Sequence, residues 1–87
     1  MVENKELEEL RRKIDMLDDR LSEVLKRRLE LTKEIKICKK KNKISIRDLD
    51  REEKIVGRMI KNGVPERFVR KIYSTIFEES LRIQGGI

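Results

Sequence analysis

Residues 7–38 read LEELRRKIDMLDDRLSEVLKRRLELTKEIKIC, and the spacing of their apolar side chains decides the fold. Leu7, Leu10, Ile14, Leu17, Leu21 and Val24 follow at alternating steps of three and four, and Leu31, Ile35 and Cys38 resume the same series. That alternation is the heptad seam of a helix. No Gly or Pro interrupts it from about residue 5 to 41, so the spacing predicts one helix roughly 55 Å long at 1.5 Å per residue. A helix of that length projects beyond any compact fold the rest of the chain can build around it. Its far end needs apolar cover from elsewhere, and a second copy of the chain is the simplest supplier. We therefore expect an interlocked homodimer.

Downstream, residues 42–47 read as a connection. Asp50 followed by Glu53 resembles a capping box, with Asp48 as an alternative cap. A second helix follows, with Ile55, Val56, Met59 and Ile60 inward. Asn62-Gly63 stops it, and Pro65 suits the first turn of a third helix. There Val69, Ile72, Tyr73, Ile76, Phe77 and Ile83 form the apolar stripe, and Gly85-Gly86 ends it. The expected fold is all-α: three helices per chain, long, short and medium, in an intertwined homodimeric helical bundle. At 87 residues the chain is expected to be a single domain spanning 1–87.

Composition narrows the function. Aromatics are 3% and charged residues 46%, so the core must come from Leu, Ile, Val and Met on helix faces. The net charge of +6 admits nucleic acid, an acidic membrane surface or a small polyanion. The charges are mixed along the chain, however, and its basic runs are short, Lys39-Lys40-Lys41 among them. Cys38 is the one cysteine, so no internal disulfide can form. No stretch is apolar enough to span a bilayer, and the acidic N-terminal stretch does not read as a signal peptide. A cytoplasmic protein is expected, with no membrane partner.

The informative residues are the polar ones in apolar places. Position 28 belongs to the seam with 7, 14, 21 and 35, yet it carries Arg28. By itself the pattern favours a buried ion pair or an arginine that snorkels to water. Ser80 and Gln84 break the stripe of the third helix in the same way, and singly they read as a serine bonded back to its helix and a glutamine at a frayed end. Cys38 reads as a small core residue. Arg11 and Lys39 share one flank of the first helix but stand four heptads, roughly 42 Å, apart. They cannot meet one small ligand within a chain, although in an antiparallel dimer Arg11 of one copy can approach the other. With no His, a Cys–His nucleophile is excluded, and no metal cluster, triad or phosphate loop is present. Arg28, Lys39 and Arg51, with Ser80 and Gln84 as neutral donors, suit a small dianion whose reaction needs positioning and charge stabilisation.

Those same residues carry a resemblance. Leu10-Arg11-Arg12-Lys13-Ile14-Asp15-x-Leu17-Asp18, Arg27-Arg28-Leu29-Glu30-Leu31, Lys39, Arg47-Asp48-x-Asp50-Arg51-Glu52 and Glu78-Glu79-Ser80-x-x-x-Gln84 are similar, in order and spacing, to the all-helical (AroQ-class) chorismate mutases. The resemblance implies conversion of chorismate to prephenate, a unimolecular Claisen rearrangement in phenylalanine and tyrosine biosynthesis, without cofactor or metal. It implies that Arg28 and the other subunit's Arg11 hold the two carboxylates, with Ser80 and Arg51 assisting. Glu52 and the backbone at Asp48 would hold the ring hydroxyl, and Lys39 and Gln84 the ether oxygen. Two rival readings stand beside it. An isochorismate-pyruvate lyase would use similar cations on the same scaffold. A basic coiled-coil module binding a partner or nucleic acid would bind salt-sensitively, but it gives no reason for Ser80 and Gln84 to lie inward, and the scarcity of aromatics argues against single-strand binding.

Overall fold

The computed structural model describes residues 4–85. Three helices follow in order: α1, Lys5–Lys41; α2, Leu49–Lys61; and α3, Glu66–Ile83. The long, short, medium order is the one the seam and its punctuation predict, and no strand occurs among the described residues. None of these helices is long and apolar enough to cross a membrane. The chain divides into two compact units, one reaching to Glu30 and the other starting at Leu31.

The first unit is the N-terminal part of α1. Asn4 caps it: its Oδ1 accepts from the Leu7 amide at 3.0 Å, and its carbonyl accepts from the Glu8 amide at 3.0 Å. Glu6 and Glu8 in the first turn suit the positive end of the helix dipole. On the surface, Arg11 pairs with Glu8 at 3.5 Å, Arg12 with Glu9, and Arg27 with Glu30 at 3.4 Å. These exposed pairs add little individually. The seam is exposed throughout this unit, from Leu7 at 42% to Val24 at 63%.

The second unit holds the end of α1, the connection, α2 and α3. Its buried residues are Thr32 of α1, Ile55 and Val56 of α2, and Val69 of α3. Around them Met59, Ile60, Ile76 and Ile83 are half-buried. Tyr73 and Phe77 stack obliquely, with centroids 5.5 Å apart and planes at 48°. The helices α2 and α3 pack together, and Arg70 of α3 ties them, reaching Glu53 of α2 at 3.2 Å and Glu66 at 2.9 Å. Those two carboxylates raise the Arg70 pKa above its ordinary value, chiefly through the hydrogen bond to Glu53. Inward assignments made from the stripe hold for α2. On α3, Ile72 stays 39% exposed.

Helix ends decide the path between elements. At the end of α1 the Ile44 amide donates to the Lys39 carbonyl at 2.8 Å, and the Lys43 amide to the Lys40 carbonyl at 3.3 Å. This is a Schellman turn, and Lys43 fills its left-handed position at φ 56°, where glycine is usual. The end of α2 repeats the arrangement with glycine: Gly63 sits at φ 99° and donates to the Ile60 carbonyl at 2.9 Å, while Val64 donates to Met59 at 3.2 Å. The cap of α2 is Asp48, whose Oδ1 accepts from the Arg51 amide at 3.0 Å. Asp50 lies inside the first turn, so the expected Asp50–Glu53 capping box does not form, and the alternative, Asp48, is the cap. Pro65 is the residue just before α3 rather than within its first turn. It still serves the start of the helix, because its carbonyl accepts from Val69 at 3.0 Å.

A lysine in the left-handed region is strained by about 1–2 kcal/mol, part of which a glycine would return as extra unfolded-state entropy. Lys43→Gly is therefore expected to stabilise the protein by about 0.5–1 kcal/mol, raising Tm by a few degrees at fixed protein concentration. An unchanged or lower Tm would show that the turn carries no strain.

Candidate functional site

Lys39 is half-buried near the end of α1. Its Nζ donates to the Ile46 carbonyl at 2.9 Å, bonding the end of α1 to the connection. An ammonium has three N–H donors, so two remain for a ligand. Cys38, beside it, is exposed in the chain rather than in its core. The amide of Asn42 donates to the Cys38 carbonyl at 2.8 Å.

The first turn of α2 carries Asp48, Arg51 and Glu52 together. Asp48 spends its side chain on the cap and its carbonyl on the Glu52 amide, at 3.1 Å. Arg51 is exposed in the single chain. Glu52 is the protected member, its side chain 19% exposed. Arg47, immediately before the cap, pairs with it: its Nη2 donates to Oε1 at 3.2 Å, and its Nε lies 3.1 Å from Oε2 as an ion-pair contact. A charge-assisted hydrogen bond beside a second close contact holds the carboxylate in place and balances its charge.

Ser80 and Gln84 stand one turn apart on α3, both half-buried, as their places on the stripe require. Gln84 forms the C-cap, and both its backbone amide and its Nε2 donate to the Ser80 carbonyl, at 3.1 and 3.2 Å. The Gln84 Oε1 is buried without a hydrogen-bond partner. An orphaned buried acceptor costs about 1–3 kcal/mol, and native structures keep few of them. Rotating the amide exchanges its two ends, so the same side chain can present either an acceptor or a donor. Between these two residues, Arg82 is forked onto Glu79, with Nε to Oε2 at 3.0 Å. The hydrogen bond from Arg82 holds the Glu79 carboxyl below its ordinary pKa.

Arg11 and Arg28 belong to the first unit. Arg28 is half-buried, unlike the exposed residues on either side of it. Arg11 is exposed and paired with Glu8. In the second unit a cavity of about 480 Å³ opens between α2 and α3, lined by Arg47, Leu49, Glu52, Glu53, Val56, Arg70, Ser74, Phe77 and Glu78. Glu52 is the one sequence-predicted site residue among them. Arg47 was visible in the sequence as part of a motif but carried no role, because its pairing with Glu52 depends on how the backbone turns into α2. Arg70 gave no sequence signal at all. Among the described residues no group of three or more His, Cys, Asp or Glu is placed to hold a metal ion.

An all-helical chain with cations on helix ends, neutral donors one turn apart and no metal cluster among its described residues is equipped to bind and orient a small anion. A family model described as chorismate mutase type II matches residues 10–85. The chain belongs to that family, and its activity is that of an isomerase acting on chorismate. Neither the lyase nor the nucleic-acid reading is favoured by this match. No curated protein and no solved structure matched the chain.

The lowered Glu79 carboxyl makes a pH prediction. A group whose folded pKa lies below its unfolded value stabilises the fold above the unfolded pKa, and that contribution is lost as pH falls through the folded one. Glu79→Gln is expected to melt below wild type at pH 7, with the gap closing as pH drops through and below the ordinary glutamate range. Both partners are exposed, so the gap is small. A gap that persists undiminished to pH 2–3 would count against the ion pair.

Proposed function

We propose that two copies of the chain, each a single mutase domain over residues 1–87, intertwine into a dimer with two equivalent sites. The observation that carries this is the seam of α1. Eight of its large apolar side chains, from Leu7 to Ile35, are 42–63% exposed. Half-burying such a side chain gains about 1 kcal/mol, so covering the stripe with its own copy is strongly favourable. The break in that stripe is Arg28, half-buried in the chain, and we assign it to a carboxylate of the substrate.

In each site Arg28 of one chain and Arg11 of the other hold the two carboxylates of chorismate, with Ser80 and Arg51 assisting. Glu52 and the backbone at Asp48 take the ring hydroxyl. Lys39 and Gln84 bond the ether oxygen. The rearrangement needs the open side chain folded over the ring as a compact chair, which two arginine clamps enforce. As the C–O bond breaks, negative charge grows on the ether oxygen, and a fixed ammonium stabilises that charge more in the transition state than in the ground state. Even a modest acceleration of about 10⁶-fold requires roughly 8 kcal/mol. One charged donor in a dry site supplies about 3–4 kcal/mol of it. The product serves phenylalanine and tyrosine biosynthesis, and the setting that fits is the cytoplasm.

The direct test is loss of chorismate absorbance on adding purified protein. Lys39→Ala is expected to lower kcat by about 10²- to 10³-fold, and Arg28→Ala to lower kcat/KM severely. Wild-type inactivity across reasonable pH and temperature would sink the proposal. Because Gln84 donates as a neutral amide, kcat is expected to vary little between pH 6 and 8, and a steep fall there would remove Gln84 from its role. A mixed dimer of Arg11→Ala and Arg28→Ala chains tests site sharing. One intact and one doubly defective site should restore about half of wild-type activity if Arg11 acts across the interface, whereas no restoration would place both arginines in one chain's site.

A further inference from the structure

The geometry points to Arg47 as a positioning residue for this reaction: it neutralises and orients the Glu52 carboxylate so that Glu52 can accept the ring hydroxyl of a substrate that is itself a dianion. The inference rests on the reading that Glu52 meets that hydroxyl.

A carboxylate near a doubly negative ligand presents a physical problem. Unpaired, it repels the ligand; at an effective dielectric near 20, one like-charge pair about 6 Å apart weakens binding by roughly a hundredfold. The charged groups around Glu52 show which one answers it. Of the groups sharing its cavity, Glu53 on its own helix and Glu78 on α3 are further acids. Arg70 of α3 is taken by Glu53 and Glu66. Arg47 is the cation that reaches Glu52, with a hydrogen bond from Nη2 at 3.2 Å and an ion-pair contact from Nε at 3.1 Å. Each carboxylate oxygen has two lone-pair directions, so the hydrogen bond from Arg47 to Oε1 still leaves acceptor capacity for a hydroxyl.

The backbone that presents Arg47 is fixed on both sides. The preceding carbonyl, of Ile46, is held by Lys39 at 2.9 Å. The following residue, Asp48, is held as the cap of α2 by the Arg51 amide at 3.0 Å. The ammonium proposed for the ether oxygen and the carboxylate proposed for the ring hydroxyl are thereby linked through three consecutive residues. An arginine used only to decorate the surface has no need of such an anchored backbone.

The experiment measures KM, kcat and Tm with chorismate for Arg47→Gln, Arg47→Lys, Glu52→Ala, Glu52→Gln and the double variant Arg47→Gln/Glu52→Gln. Arg47→Gln is expected to raise KM by about tenfold to a hundredfold while changing kcat far less, and Arg47→Lys, which keeps the charge but not the guanidinium geometry, should fall between it and wild type. The decisive arm is the double variant. A neutral amide at position 52 no longer repels the dianion, so KM should return to that of Glu52→Gln alone. If the double variant is no better than Arg47→Gln, the arginine is merely structural and the inference is overturned. It is equally overturned if Arg47→Gln binds like wild type while Glu52→Ala does not, which leaves the role of Glu52 standing. If Glu52→Ala itself leaves KM unchanged, the assignment of Glu52 fails and the inference falls with it. Should Arg47→Gln melt too low to assay, the same comparison is made with Arg47→Lys, alone and combined with Glu52→Gln.

Discussion

Apolar surface on a helix stays in water only at a free-energy cost, and α1 carries more of it than its own chain covers. Its seam is exposed along the first unit and continues so at Leu31 and Ile35 in the second. The chain's own core is small by comparison, with Ile55, Val56 and Val69 as its buried apolar residues. A protein with so few aromatics cannot enlarge that core with bulky side chains. The proposed dimer resolves this imbalance, and it also explains why a site for a small anion would be shared: the helix that needs cover is the helix that carries Arg11, Arg28 and Lys39.

Around that helix, the turn from α1 into α2 does the positioning. The Schellman turn at Lys43, the Lys39 bond to the Ile46 carbonyl and the Asp48 cap follow within ten residues. Each satisfies backbone groups that a helix end would otherwise leave orphaned. Together they place Arg47 against Glu52 and set the first turn of α2. The same bonds that end one helix and begin the next therefore orient groups assigned to the chemistry. At the other end, Gln84 is both the cap of α3 and a candidate donor, with one end of its amide spent on Ser80 and the other buried without a partner.

The charge pattern fits a reaction that asks for no nucleophile. Cations outnumber acids along the chain, and several arginines are held in exposed i,i+3 and i,i+4 pairs such as Arg12–Glu9 and Arg70–Glu66. Arg28 and Lys39 differ in being half-buried. A buried cation is tolerable when an anion meets it; in the proposed site Arg28 meets a carboxylate of the substrate and Lys39 the ether oxygen on which charge grows. Membership of the chorismate mutase type II family gives that anion its identity.

Periodicity and punctuation were enough to fix the three helices, because heptad spacing, Gly63, Pro65 and the acidic run at 48–53 act locally. They also singled out Arg28, Lys39, Ser80 and Gln84, since a polar residue on an apolar stripe is visible without coordinates. What needed the tertiary structure was every choice between local alternatives and every pairing through a turn. Asp48 rather than Asp50 caps α2, because the helix starts at Leu49 and only Asp48 then lies three residues before the Arg51 amide. Lys43 adopts a glycine-like conformation that its side chain does not advertise. Arg51 and Cys38 proved exposed, since a place on a helix face does not say what covers that face. Arg47 meets Glu52 across five residues of which the first part is not helical. Sequence spacing predicts neighbours only where the backbone repeats, and at the mouth of α2 it does not.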